Sequence, residues 1–239
     1  MIWTYCHKIT NYEQVDPGTV GLQVGDNSRF LDHRDSDVED NLADWNNFYA
    51  ELTGLYYIWK QDTDDYKGAH QYRRWLPLAD GLAEGFRVRT CLPLKLSDTL
   101  RRQYSTFHSY KDLVQVSEIL QKWYPAYVEP WERVLDQNLI FDSNGFAMHR
   151  EDFDRYCEFL FGVLQHFREL NGWYAPEDVT KAVEREIKLG YRNSVRGVRY
   201  QSQIGGFLSE RLWTMWVMTN FSPSEVWTDR YVLKENSGI

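Results

Sequence analysis

A chain of 239 residues with a formal net charge of −8 and a pI near 5.3 is long enough to bury one large core, and its acidic balance argues against a polyanionic partner, since nucleic-acid binders carry a basic stripe or face. Cys6, Cys91 and Cys157 are odd in number and widely spaced, which argues against a disulfide framework or a zinc site and for a reducing compartment. No apolar run reaches the roughly 18 to 20 residues that span a bilayer, and the first ten residues lack the basic-then-apolar order of a secretion signal, so a soluble, cytoplasmic protein is expected.

In chain order, Ile2–Cys6 reads as a first strand with His7-Lys8 at its tip, and the acidic stretch His33–Asp44 as a solvated connector. A helix follows from Asp44, with Trp45, Phe48, Leu52, Leu55 and Trp59 on one stripe of the 3.6 period and Glu51 on its flank. Tyr66–Tyr72 reads as a strand whose Gly68 marks the close approach of a backbone or a ligand. A further extended segment covers Arg87–Leu96. Leu113, Val116, Leu120 and Trp123 mark a helix stopped by Pro125. Asn138–Phe153 reads as a strand containing an Asn-Gly and leading into a helix near Asp152. Pro176 and Gly190 bracket another helix, Gly205–Met218 is apolar enough all round to be a buried one, and Ser222–Glu225 has capping-box spacing.

No repeat and no domain-dividing linker occurs, so one domain over residues 1–239 is expected. Strands separated by helices predict an α/β fold with a mostly parallel sheet, and such sheets bind ligands at the carboxyl ends of their strands. Tyr72-Arg73-Arg74 stands at such an end. Two guanidinium forks there suit phosphate oxygens, or alternatively form surface ion pairs with Asp62, Asp64 or Asp65. Glycine-rich phosphate loops, the G-x-S-x-G elbow and H-E-x-x-H are all missing. Three Asp-x-Asp pairs, at Asp35/Asp37, Asp62/Asp64 and Asp152/Asp154, stand in a connector, before a strand and at a helix start, and read as solvated acids and not as metal ligands. The 10 Trp and 16 Tyr serve either as core or as platforms that stack on sugars, the first being commoner.

The stretches NNFYAELTGLYYIWKQ and DYKGAHQYRRWL (Asn46–Gln61 and Asp65–Leu76) resemble the signature of the domain of unknown function 4422 family of bacterial capsular and exopolysaccharide glycosyltransferases, an E-L-T-x-x-Y-W-x-W-K helix and a G-x-x-H-Y-R-R strand. The resemblance continues in order through HKIT, GLQVGDN, CLPLKL, FDSNGFAMHREDFDRYCEFLFGVL and GGFLSERLW. It implies a GT-A-like (Rossmann-like) domain that moves a hexosyl group, galactosyl or galactofuranosyl among them, from a nucleoside-diphosphate sugar to a hydroxyl of a growing surface polysaccharide. Gln71 stands where the family has histidine, with His70 displaced by one residue, and Tyr57 where it often has tryptophan.

What the resemblance implies for residues is a donor site of His7, Lys8, Glu51, His70, Gln71, Tyr72, Arg73 and Arg74. Trp59 and Asn144 are expected on the acceptor sugar. Glu210 is the first choice for the catalytic base and Asp142 the second, the alternative for Glu210 being a surface acid paired with Arg211 or Arg192. The donor is expected to be UDP-linked, no metal ligand is assigned, and dependence on a divalent metal stays open. The acceptor is expected to be a glycan or lipid-linked glycan, with contact to the inner membrane face or a partner transferase. A non-catalytic carbohydrate- or nucleotide-sugar-binding protein of a polysaccharide assembly system is the alternative. If the strand continues through Arg74, alternation puts Arg73 on the face of Gln71, toward the diphosphate, and turns Arg74 to an internal ion pair, with Glu51 as its expected partner.

Overall fold

The apolar run Ile2–Cys6 is buried at all five positions, as a strand covered on both faces must be. In the computed structural model, which describes residues 1–8, 15–25 and 28–233, it is the first of eleven strands among the described residues. These are β1 (Ile2–Cys6), β2 (Val20–Gln23), β3 (His33–Arg34), β4 (Tyr66–Gln71), β5 (Arg74–Trp75), β6 (Val88–Cys91), β7 (Leu94–Lys95), β8 (Leu139–Ile140), β9 (Phe146–His149), β10 (Val226–Asp229) and β11 (Val232–Leu233). The helices are α1 (Asn46–Tyr49), α2 (Leu52–Gln61), α3 (Leu100–Phe107), α4 (Tyr110–Trp123), α5 (Val128–Leu135), α6 (Arg150–Leu170), α7 (Pro176–Lys188), α8 (Gly197–Gln201) and α9 (Ile204–Asn220).

The main sheet runs β10-β6-β9-β4-β1-β2-β3. Along it only β9 is antiparallel to its neighbours, so the mostly parallel α/β sheet expected from the alternation is present, flanked by helices. Gly68 on β4 marks a backbone approach and not a ligand: a Cβ there would fall 2.1 Å from the carbonyl oxygen of Phe146 on β9. Helix α9 is buried round most of its circumference, and its Trp213 stacks on Phe146 with ring centroids 4.1 Å apart. Such a helix is core, as its pattern predicts. Among the described residues, no helix is long and apolar enough to cross a membrane.

Three local expectations are corrected. The helix from Asp44 is not continuous: a 3-10 turn at Ala43–Trp45 leads into α1, and the chain breaks at Ala50 (φ 51°) before α2. The Asn46 amide, donating to the Ala50 carbonyl at 2.8 Å, closes that break. The strand expected over Asn138–Phe153 divides into β8 and β9 around a loop in which Ser143 and Asn144 have φ of 70° and 49°, a left-handed pair that the Asn side chain tolerates better than most. The Asp-x-Asp pairs are not all solvated, because one member of each is buried against a donor. Asp35 accepts the Thr53 hydroxyl at 2.6 Å, Asp62 the Trp3 indole N–H at 2.8 Å, and Asp152 the Arg87 guanidinium at 2.6 Å. The acidic connector likewise contributes β3 to the sheet. Of the family-like blocks, Ile9-Thr10 and Asp26-Asn27 lie outside the described residues.

Candidate active site

Strands β1 and β4 end side by side, and there the chain forms a cleft of about 810 Å³. From β1 comes His7; from the end of β4 and its return come Gln71, Arg73 and Arg74; from the break after α1 comes Glu51; from α9 comes Glu210. A second compartment of about 680 Å³ adjoins it over the ends of β1 and β2. The two share His7, Asn46 and Gln203, and the second adds Lys8 and Arg199. This is the position at which parallel sheets bind ligands.

Glu51 reaches the cleft because of the break at Ala50. A left-handed alanine is disfavoured, and such conformations persist only where the surroundings hold them. Here the hold comes from Asn46 and from α9, whose Gly205 and Gly206 pass so close that a Cβ would lie 3.0 Å from the Phe48 carbonyl oxygen or 3.1 Å from the Ala50 Cβ. Glu51 Oε1 accepts from Gln71 Nε2 at 2.8 Å and from Asn144 Nδ2 at 3.2 Å. Asn144 in turn accepts from the Ser209 hydroxyl at 3.0 Å. Asn144 is buried beneath the cleft and joins Glu51 to α9.

Glu210 lies on the other side of that network. One carboxylate oxygen accepts the Ser143 backbone N–H at 2.9 Å and the other the Arg211 guanidinium at 2.8 Å. Burial pushes its carboxyl up from the ordinary range, with Asp142 and Glu51 adding to the rise and Arg211 and the Ser143 N–H opposing it. The expected alternative pairing with Arg211 is therefore present, but Glu210 still lines the cleft. Arg192, the other suggested partner, is buried against Asp112 and Glu186 at 2.6 and 2.9 Å.

The two arginines separate, though not by strand alternation. Tyr72 and Arg73 form a two-residue turn, and Arg74 lies on the returning strand opposite Gln71. The chain reverses before alternation can act. Arg74 pairs with Asp142 at 3.1 Å and with the Ser143 hydroxyl, and not with Glu51. Arg73 is exposed, sits 5.1 Å from the Tyr72 ring, and makes no ion pair among the described residues. Tyr72 itself is buried beside Cys6 and Leu31, its ring edge-on to His7 at 5.3 Å. Burial lowers the His7 imidazole pKa; Glu51 opposes this, and Arg73, Lys8 and Arg199 add to it, so three cations and one acid surround that ring.

Two expected site residues lie away from the cleft. Trp59 stacks on Phe161 at 5.7 Å with Lys60 over its ring at 4.1 Å. His70 is fully buried in β4, bonded to Thr4 Oγ1 at 2.9 Å and to the Leu76 N–H at 3.0 Å. Burial pushes the His70 imidazole down to about 4, and burial with the Arg211 charge pushes His108 down to about 3. Both folded values lie below the ordinary 6.5, so the unfolded chain takes up the proton first and stability falls as pH drops from 6.5 toward 4. The expected slope is up to ~1.4 kcal/mol per pH unit for each ring. Thermal melts across that window should show it, and His70→Gln should remove the His70 share and leave that of His108; an unchanged slope would mean that His70 does not fold as the neutral ring.

The far wall of the cleft went unread in the sequence. It consists of Arg196, Tyr200, Gln203 and Phe207, and the Tyr200 and Phe207 rings, 4.8 Å apart, supply the aromatic surface that Trp59 does not. The available signal was Arg192, Arg196 and Arg199, spaced at helical intervals just before a Gly-Gly. Among the described residues, no group of three His, Cys, Asp or Glu is arranged to hold a metal ion.

Comparison with known proteins bears on this geometry. The family model described as domain of unknown function (DUF4422) matches residues 1–90 and 88–178. No curated protein is a significant match. Among solved structures, the chain is similar to an apo structure of the WbbM bifunctional glycosyltransferase, with a TM-score of 0.72, 18% identity and 96% of this chain covered. That likeness is one of fold, consistent with a GT-A-like domain, and this chain spans 44% of the neighbour's length.

Proposed function

The chain belongs to the DUF4422 family, and on that premise we propose that it is a glycosyltransferase moving a hexosyl group from a nucleoside-diphosphate sugar to a hydroxyl of a growing bacterial surface polysaccharide. The observation that carries the reading is the meeting, in one strand-end cleft, of two carboxylates, Glu51 and Glu210, with a set of cations around His7. Glycosyl transfer needs that pairing: a base for the acceptor hydroxyl and positive charge for the departing diphosphate.

In this reading the compartment over β1 and β2 takes the nucleoside and the diphosphate lies along His7, Lys8, Arg73 and Arg199. The sugar and the acceptor occupy the main cleft, against Tyr200 and Phe207. The acceptor oxygen attacks the anomeric carbon as its proton passes to the Glu210 carboxylate. The bond from that carbon to the diphosphate oxygen breaks, and its electron pair leaves with the diphosphate. A single displacement of this kind inverts configuration. Glu51, tied to Gln71 and Asn144, is set to receive sugar hydroxyls. Asp142, engaged with Arg74, serves as a positioning group in place of the base.

The test is hydrolysis of a panel of nucleotide sugars, UDP-linked ones first, with and without EDTA, run on the wild type and two variants. Donor-dependent turnover supports the enzyme. Saturable binding of the same compounds with no turnover supports the non-catalytic reading, and the EDTA arm reports on a metal. Arg73→Lys should lose bidentate contact and turn over at least about tenfold more slowly, on the order of 1 to 3 kcal/mol, with an unchanged melting temperature. Arg74, whose side chain is 40% exposed, should cost no more than about 1 kcal/mol of stability when replaced by lysine. Early melting of Arg73→Lys at normal turnover would reverse the two roles.

A further inference from the structure

We propose that the face made by the 189–196 segment, the turn between α3 and α4 and the outer side of α7 docks on an anionic lipid bilayer. Leu189, Tyr191 and Val195 are 54%, 70% and 41% exposed, and Phe107 and Tyr110 are 44% and 51% exposed. They are neighbours. Ser109 donates to the Tyr191 carbonyl at 3.0 Å, Asn193 to the Thr106 carbonyl at 2.8 Å, and Gln201 to the carbonyls of both Phe107 and Val195 at 3.0 and 3.1 Å. Large apolar side chains grouped in the open mark an interaction site and not scattered surface.

Charge says which partner. The chain carries −8, yet the exposed charged residues of 177–196 are four cations, Lys181, Arg185, Lys188 and Arg196, against two acids, Glu177 and Glu184. Lys181, Arg185 and Lys188 all lie on the exposed side of α7, whose Val179 and Val183 face inward. Cations flanking exposed Tyr, Leu and Val suit the headgroup layer, where each Lys or Arg near an anionic surface contributes roughly 1 kcal/mol and apolar side chains enter the acyl boundary. The acidic remainder of the molecule is repelled by the same surface, so the field also sets orientation. Val195 and Arg196 are adjacent, and Arg196 lines the cleft; docking on this face therefore brings the mouth of the cleft to the bilayer.

Binding itself does not depend on the glycosyl-transfer reading, and its test is separate from activity. The protein should cosediment with vesicles containing phosphatidylglycerol and not with vesicles of phosphatidylcholine alone, and high salt should weaken the association. Charge reversal at three positions, Lys181→Glu with Arg185→Glu and Lys188→Glu, should weaken it at least about tenfold while leaving hydrolysis of soluble nucleotide sugar unchanged. Leu189→Ser with Tyr191→Ser should weaken what remains at high salt. Failure of the wild type to bind anionic vesicles overturns the proposal, as does equal binding by the charge-reversed variant. Self-association in light scattering that the same variants abolish, without vesicle binding, overturns it in favour of a protein partner.

Discussion

Glu210→Gln is expected to lower turnover by about 10²- to 10⁴-fold, the range by which a positioned general base accelerates proton transfer. Glutamine keeps the shape and still accepts the Ser143 N–H, but its NH2 replaces the oxygen that accepts from Arg211, so the proton-accepting charge and that ion pair are lost together. Because burial raises the Glu210 pKa, the acid limb of kcat/KM should lie above the ordinary carboxylate range, and it should vanish in the variant. Stability has the opposite sign. A carboxyl whose folded pKa is raised contributes stability that is present below its unfolded pKa and lost as pH rises through the folded one, so at neutral pH the ionised group costs stability that glutamine does not. Arg211 loses an ion pair but retains the Phe207 carbonyl at 2.9 Å and the Gln103 side chain. Arg211 is buried and loses its counter-charge, which offsets that gain, so only a small change in melting temperature, together with unchanged nucleotide affinity, should accompany the loss of rate. Normal turnover would remove Glu210 from the mechanism, and a collapse of stability would make it structural.

The largest expected effect on stability is at Arg192, far in sequence from the arginines of the signature. Asp112 is 1% exposed and accepts two bonds from Arg192, at 2.9 and 2.6 Å, and one from the Tyr104 hydroxyl at 2.9 Å. Arg192→Leu strips that carboxylate of its counter-charge inside the core. Breaking a buried pair from one side costs about 3 to 5 kcal/mol, whereas replacing both partners with apolar groups is often neutral. Urea unfolding should therefore show a large loss for Arg192→Leu and substantial recovery on adding Asp112→Leu. A loss below about 1 kcal/mol would mean that the pair is open to water. The segment that Arg192 anchors leads to Arg196, so the single variant should also weaken nucleotide-sugar binding at temperatures where it is still folded.

How far the sequence could be read follows from where the deciding forces act. The first strand, the Pro176 helix and the Ser222–Glu225 capping box are decided within a few residues of themselves, and each is found as expected; both capping-box bonds form. The cleft residues His7, Glu51, Gln71, Arg73, Arg74 and Glu210 were also legible, four of them through the family-like strand and helix. The break at Ala50 was not, since alanine carries no turn chemistry and the conformation is imposed by Asn46 and α9. Nor was the reversal at Tyr72-Arg73, where neither residue is a turn former and the pairing of β5 with β11 supplies the reason. The wall of Arg196, Tyr200 and Phe207 was hidden because the connection of α8 to the rest runs through Gln201, which bonds to a segment more than ninety residues away.

The passage of Gly205 and Gly206 against Phe48 and Ala50 makes the interval between α9 and the segment that carries Glu51 a matter of close helix approach. Side chains around the rim can be exchanged without altering it. A single methyl group at either glycine would press α9 away from α1 and widen it. The gauge of the cleft is thus fixed, and a change of substrate would have to come from what is mounted on its walls.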